Sequence, residues 1–380
     1  MDGPEPRRES ERVCGSHGDA TSGPTLVAIG AVHGNEPAGL VAIERVLAAM
    51  HERQLPIAGR FVGLSGNQAA QAADRRYIER DLNRSWSDES CARTADASND
   101  QCAEDREQRE LITAINQITE AADGPVIFLD LHSMSGPGSP FSIAPDLLRN
   151  RTLAVNLPVP TVLGLEEIID GTLLGYLCDQ GHLGLAIEGG QHDAPDTADL
   201  LEACVWFGLS ASGLIDANDV PRRQDKHERL RQAASGKPTL VEIKHRHGVA
   251  VDDKFAMKPG YANFVPVRKG EPVARDSQGP IFCPRDGLMM LPRYQDEGDD
   301  GFFIAIAVSP SWLRVSTAAR RARLDRLLHL LPGLSTNGRD RLQYEGESPS
   351  RALLGALHLL GYRGMRPERD GLEFFRRRQG

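Results

Sequence analysis

Apolar residues near the start of the chain come in short solid runs, and each run gives way to a stretch with apolar positions every third or fourth residue. Thr25 to Val32 is such a run, rich in β-branched side chains, and predicts a buried strand. A Gly/Asn/Pro turn follows, and Ala38 to Met50 then reads as an amphipathic helix. Arg60-Phe-Val-Gly-Leu64 predicts a second strand, and residues 87–105 are polar enough to predict an exposed loop. Arg106 to Ala122 carries apolar residues at 111, 112, 115 and 118, the spacing of one helical face, and Asp123-Gly124-Pro125 ends it. Val126 to Leu131 and Gly184 to Glu188 predict further buried strands, and Ala198 to Ile215 another helix. Strands alternating with helices predict an α/β domain: a mixed, mainly parallel sheet with helices on both faces.

The pattern changes near residue 220. Pro221 to Pro238 is charged and reads as a linker or an exposed helix. Thr239 to Val308 consists of short runs between turn signals such as Lys258-Pro-Gly and Arg285-Asp-Gly, which predicts a small β domain. From Ser309 the chain reads as a helical, Arg-rich extension, with one helix ending at Pro332-Gly333 and a second over residues 350–362. The resulting division is 1–23, a disordered Gly/Pro/Ser-rich tail; 24–238, a catalytic domain with its linker; 239–308, the β domain; and 309–380, the extension.

Composition narrows the function classes. Forty-four basic against 53 acidic residues give the 380-residue chain a formal charge of −9, which argues against nucleic-acid binding. No apolar run approaches a membrane span, and the first residues lack the apolar core of a secretory signal, so the expectation is a cytoplasmic protein with no membrane partner. A homo-oligomer is compatible with this composition. The six cysteines form no Cys-x-x-Cys pair, so a metal here would be held by histidine and carboxylate.

Three strand ends carry polar groups: Ala31-Val-His33-Gly-Asn-Glu36, Phe128-Leu-Asp130-Leu-His132 and Ala186-Ile-Glu188-Gly-Gly. His33 and Glu36 lie across a tight turn that can aim an imidazole and a carboxylate at one point. His132 supplies a third ligand from another strand. Two imidazoles and one carboxylate match a catalytic zinc with an open position, and the nitrogen ligands favour zinc over magnesium. Asp130 is a candidate for orienting an imidazole. A fourth segment, Arg75-Arg76-Tyr-Ile-Glu-Arg-Asp81-Leu-Asn83-Arg84, reads by itself as a solvated charged loop. Beside a metal, Asn83 and Arg84 would make a clamp for a carboxylate, and Arg76 could stabilise an oxyanion.

Together, His33-Gly-Asn-Glu36, Arg76 through Asp81-Leu-Asn83-Arg84, Asp130-Leu-His132 and Ile187-Glu188 resemble the succinylglutamate desuccinylase/aspartoacylase family of zinc-carboxypeptidase-like hydrolases over about residues 24–310. The resemblance implies one Zn2+ per chain on His33, Glu36 and His132, with Glu188 as general base and Arg76 polarising the scissile carbonyl. It implies that Asn83 and Arg84 hold a substrate carboxylate and that Asp81 supports a ligand histidine. It also implies a deacylase acting on a small N-acyl amino acid or related carboxylate. Aspartoacylase-like relatives carry a further arginine before the catalytic glutamate, but Gly171 to Leu185 contains neither arginine nor lysine, so N-acetylaspartate is not specified. Two alternatives stay open, a peptide-trimming metallocarboxypeptidase and a non-catalytic zinc or small-molecule binding protein on the same scaffold. Tyr294 is a further candidate to enter the site from the β domain, and His192 has no assigned partner.

Overall fold

The computed structural model describes residues 12–21, 23–336, 338, 340–346, 348–368 and 371–376. Seven strands come first: β1 (Val13–Gly18), β2 (Thr25–Gly30), β3 (Arg60–Ser65), β4 (Val126–Met134), β5 (Phe141–Ile143), β6 (Thr161–Leu163) and β7 (Leu183–Gln191). The chain divides into two compact units, 1–133 with 186–229, and 134–185 with 230–380.

In the first unit the strand order is β1-β3-β2-β4-β7. β2 runs parallel to both β3 and β4, with Ile29 opposite Asp130 and Gly30 opposite Ser65. All six residues of β2 and all nine of β4 are buried. That burial explains why they read as solid apolar runs rather than alternations. The helix Ala38–Arg53 buries Leu40, Ile43, Val46, Leu47 and Met50, and it packs against the first three strands and the helix Thr197–Ala211. The helix Ala103–Ala121 buries Leu111, Ala114, Ile115 and Ile118.

The tail reading of residues 1–23 needs correction where the structure describes it; residues 1–11 lie outside the described residues. Residues 13–18 form β1, antiparallel to β3. Its half-exposed positions hide it from a hydrophobicity pattern. What anchors it is backbone pairing and the buried Arg12, whose guanidinium contacts Glu107 at 2.6 Å and Glu110 at 2.9 Å. Residues 87–105 are likewise more than an exposed loop: they include the helix Asp88–Thr94, capped by the Ser87 side chain. Pro221 to Pro238 contains the helix Arg223–Ala233.

The second unit continues with β8 (Leu240–Gly248), β9 (Ala256–Met257), β10 (Pro266–Val267), β11 (Pro272–Asp276), β12 (Gly279–Phe282), β13 (Gly287–Met290) and β14 (Asp300–Ala307). β5, β6 and β8 are parallel neighbours, and β14, β13 and β10 extend the sheet antiparallel. β12-β11-β9 form a separate three-stranded sheet, and Val273, Met289, Phe302 and Ile304 share one core with it.

The extension holds the helices Pro310–Arg321 and Arg351–Leu359. It also holds four strands, β15 (Leu334–Thr336), β16 (Arg341–Tyr344), β17 (Gly364–Glu368) and β18 (Gly371–Phe375), paired in the order β15-β16-β18-β17. A purely helical reading missed these because each strand is short, with few buried apolar positions, among them Leu334, Leu342 and Phe374. The extension is pinned within its own unit by Asp146, which accepts from Arg151 at 2.8 Å, Arg320 at 2.5 Å and Arg363 at 2.5 Å. Glu242 binds Arg363 as well, and His358 at 2.8 Å. Two of the arginines that gave the extension its charged look, Arg320 and Arg363, are therefore buried ion-pair partners. Among the described residues no helix is long and apolar enough to cross a membrane.

Candidate metal centre

β2 ends at Gly30, and Ala31 then takes a left-handed conformation (φ 56°) that turns the chain out of the sheet. Its carbonyl accepts from the Asn67 amide at 2.7 Å, which holds the turn in place. The turn His33–Glu36 follows, closed by the Glu36 amide on the His33 carbonyl at 3.1 Å. Gly34 lies against the helix Gln68–Ala72: a β-carbon there would stand 2.1 Å from the Ala70 carbonyl carbon, so only glycine fits. The Gly34 amide donates to the Arg76 carbonyl at 3.1 Å, joining this turn to the arginine-bearing loop.

His33, Glu36 and His132 are buried, and their ligand atoms all lie within 4.8 Å of one another. His33 Nδ1 is 2.9 Å from one Glu36 oxygen and His132 Nδ1 is 3.0 Å from the other. The Ser133 amide donates to that second oxygen at 2.9 Å. On the far edge of each ring stands a carboxylate, Asp81 at 3.1 Å from His33 Nε2 and Asp130 at 3.1 Å from His132 Nε2. Asp130 and His132 are two apart on one strand and so share a face.

This arrangement tests whether a metal fits. A carboxylate beside Nε2 favours the tautomer with its proton there, which leaves Nδ1 as a lone pair. Two such lone pairs facing one carboxylate repel unless a proton or a cation lies among them. In the metal-free protein protons fill the role: burial pulls the His132 imidazolium down, but Asp130 and Glu36 overcome it and hold His132 well above its usual range. Burial similarly pushes Glu36 up, and His33 and His132 overcome it, holding its carboxyl well below the usual range. Two nitrogens and a carboxylate are a donor set suited to zinc.

Arg76 donates to Asp81 through Nε and Nη2 at 3.2 and 3.1 Å and lies 3.5 Å from Glu36. Burial raises the Asp81 carboxyl, but Arg76, His33 and Arg84 outweigh it and hold it well below the ordinary value. Asp81 also caps the short 3-10 helix Leu82–Arg84 by accepting from the Asn83 amide at 2.8 Å. One carboxylate thus orients His33, fixes Arg76 and sets the start of the segment carrying Asn83 and Arg84.

Glu188 is 8% exposed, and its Oε2 has no hydrogen-bond partner among the described residues. Burial pushes its carboxyl up to about 8, with smaller opposing pulls from His132 and Arg76 and pushes from Glu36 and Asp130. Gly189, which follows it, is explained by packing: a β-carbon would meet Leu201 at 2.4 Å. The structure thus brings His33, Glu36, Arg76, Asp81, Asp130 and His132 into one linked cluster with Glu188 in its electrostatic reach, while Asn83 and Arg84 follow Asp81 along the chain.

Elsewhere it adds detail. His192 pairs with the Ser133 hydroxyl at 2.7 Å, next to the candidate ligand His132. The Tyr294 hydroxyl is held at home in the second unit, donating to the Lys258 carbonyl at 2.8 Å and accepting from the Tyr261 amide at 3.0 Å. Pattern reading missed Asn67, Glu104 and Asp105, all fully buried. The signal that could have found the last two is a pair of acids opening a helix directly after a polar, arginine-bearing loop.

Residues 13–192 match the sequence model of the Succinylglutamate desuccinylase/Aspartoacylase catalytic domain. A probable aspartoacylase of Parasynechococcus marenigrum (strain WH8102) is 31% identical over 169 residues, 43% of this chain. The match spans about half (52%) of that relative. Among solved structures, the product-bound ectoine utilization protein EutE (DoeB) of Ruegeria pomeroyi aligns over 76% of this chain and 85% of its own, with TM-score 0.54 and 19% identity. Succinylglutamate desuccinylase of Vibrio cholerae aligns over 77% and 83%, with TM-score 0.56 and 17% identity. A succinylglutamate desuccinylase/aspartoacylase of Rhodobacter sphaeroides aligns over 77% and 88%, with TM-score 0.55 and 19% identity. At these identities the structural likeness is one of fold.

Proposed function

With residues 13–192 belonging to the succinylglutamate desuccinylase/aspartoacylase family, a family of hydrolases, we propose that the chain is a zinc-dependent deacylase that cleaves the amide of a small N-acyl amino acid or related carboxylate. The observation that carries the reading is the convergence of His33, Glu36 and His132 beside a buried Glu188 whose Oε2 is unpartnered. His33, Glu36 and His132 would hold one zinc ion. When bound, zinc supplies Lewis acidity toward a carbonyl oxygen and makes water more acidic.

The chain's own groups do the rest. Glu188 takes a proton from the attacking water as oxygen bonds to the amide carbon, then hands it to the departing nitrogen as the C–N bond breaks. A carboxyl pushed up by burial is a better base than an exposed one, and approaching positive charge lowers it into its ionised form. Arg76 donates to the carbonyl oxygen as it gains charge. Asn83 and Arg84 grip a substrate carboxylate, the arginine through a planar fork.

The test is amine release from a panel of N-acyl amino acids and short peptides, with zinc-loaded wild type against Glu188→Gln. Release from the small N-acyl compounds supports the proposal. Release only from peptide C-termini would replace it with a carboxypeptidase. Equal rates in wild type and Glu188→Gln would refute the role of Glu188.

A further inference from the structure

Glu104 lies in the first turn of the helix Ala103–Ala121 and is fully buried. Its carboxylate ignores its own helix. One oxygen accepts from the Ile78 amide at 2.7 Å and from Asn67 Nδ2 at 3.3 Å; the other accepts from the Glu79 and Arg80 amides, both at 3.2 Å. Three successive main-chain N–H groups converging on one anion form a nest, and a buried charge so satisfied is a rigid point in the fold. The chain leaves this nest at Arg80 and enters Asp81 directly.

The other partner, Asn67, ties the same point to the metal-ligand turn. Its amide donates to the Ala31 carbonyl, two residues before His33, and its Oδ1 accepts from the Ala70 amide at 3.1 Å, in the helix on which Gly34 packs. Glu104 thus anchors the segments on both sides of the His33–Asp81 bond.

We propose that Glu104 is a positioning residue of the metal centre, holding residues 78–80 so that Asp81 meets His33 Nε2, and thereby setting how tightly His33, Glu36 and His132 hold zinc. The inference rests on the metal reading above. A carboxylate is required because all its partners are donors: the Glu104→Gln amide would turn an N–H2 toward main-chain N–H groups and leave some of them unpaired.

Glu107, one turn along the helix, is the matched control. It is also buried and also accepts from two amides, Gln68 at 2.9 Å and Ala69 at 3.3 Å, and from Arg12 at 2.6 Å, yet among the described residues none of its hydrogen bonds comes from 78–80. The experiment measures zinc dissociation constants by chelator competition for full-length wild type, Glu104→Gln and Glu107→Gln, with thermal melting alongside. The expected result is a zinc constant weakened about 10–100-fold in Glu104→Gln, the range for lost outer-shell support, and clearly less in Glu107→Gln, which loosens the helix Gln68–Ala72 but not residues 78–80, at similar melting temperatures. Equal zinc constants in the two variants would overturn the proposal. Should Glu104→Gln fail to fold, hydrogen exchange of zinc-loaded wild type decides instead. The amides of Ile78, Glu79 and Arg80 should exchange as slowly as those of β2, and fast exchange at these three would overturn the inference. Wild type that binds no zinc would sink the metal reading itself.

Discussion

Asp81 stands 3.1 Å from Nε2 of His33, on the ring edge opposite the one that faces Glu36. Asp130 repeats the relationship with His132. Asp81 fixes the His33 ring through a hydrogen bond, Asp130 stands beside His132 as a counter-charge, and both rings leave Nδ1 facing Glu36. Asp81→Asn and Asp130→Asn should each weaken zinc about 10–100-fold while leaving the fold intact. Zinc titration of the two variants checks this, and an unchanged constant in both would mean that these carboxylates serve packing alone. Asp81→Asn should also loosen Arg76, which Asp81 binds through two nitrogens.

How far this site could be read from the chain depended on where its parts lie. His33, Asp130, His132 and Glu188 stand in or just after solid apolar runs, where a polar group is conspicuous. The Arg76 to Arg84 segment looks like solvent-exposed charge, and only its company with the other motifs gave it meaning. Glu104 and Asp105 were read as part of a polar loop because burial of an acid leaves no mark on hydrophobic periodicity; the mark is in three-dimensional donors, the amides of 78–80 and the guanidinium groups of Arg80 and Arg93. The same limit hid β1, an edge strand held by pairing and by Arg12. It also hid the four strands of the extension, which read as helical throughout; two of the extension's arginines, Arg320 and Arg363, are partners of Asp146.

Glu188→Gln should abolish nearly all turnover and leave zinc binding intact. It should also change stability in a direction that is informative without any substrate. Burial raises the Glu188 carboxyl to about 8, above its ordinary value of 4.5. A raised folded-state value means that stability is fully present below about 4.5 and is lost as pH rises toward 8. The glutamine variant is spared that loss. Metal-free Glu188→Gln should therefore be more stable than metal-free wild type above pH ~5, with the gap widening until pH ~8. Parallel urea curves at every pH would contradict the buried, unpaired state of this carboxyl.

Arg76 and Arg84 should separate kinetically. Arg76 lies 3.5 Å from Glu36, a candidate metal ligand, so in the proposed reaction its substitution acts where charge develops on the carbonyl oxygen. Arg76→Ala should lower kcat about 10²–10³-fold. Arg84 is assigned to substrate grip, and Arg84→Ala should mainly raise KM, by roughly 10–100-fold for a charged hydrogen bond. The reverse split, with Arg84→Ala losing kcat at constant KM, would mean the two assignments must be exchanged.

The second unit carries its own vulnerability at Asp146, where Arg151, Arg320 and Arg363 converge on one buried carboxylate. Burial alone would raise this carboxyl, but the three guanidinium groups overcome it and hold it far below the usual range. Glu242 is also raised by burial and then brought down to about 2 by His358, Arg363 and Lys244. For a depressed carboxylate the stability is present above the ordinary value and is lost as pH falls through the folded-state value. The extension should therefore stay docked at pH 5 and come loose as pH falls from about 4 toward 2. Asp146→Asn strands three buried arginines without their counter-charge, a loss of about 3–5 kcal/mol at neutral pH. For a unit of this size that lowers the melting temperature by roughly 10 °C. Limited proteolysis between residues 309 and 376 gives the local readout. Faster cleavage in Asp146→Asn at pH 7, matching wild type at low pH, is the expected pattern. Cleavage rates that do not respond to either change would show that the apolar core around Leu328, Leu357 and Phe374 holds the extension without the ion pairs.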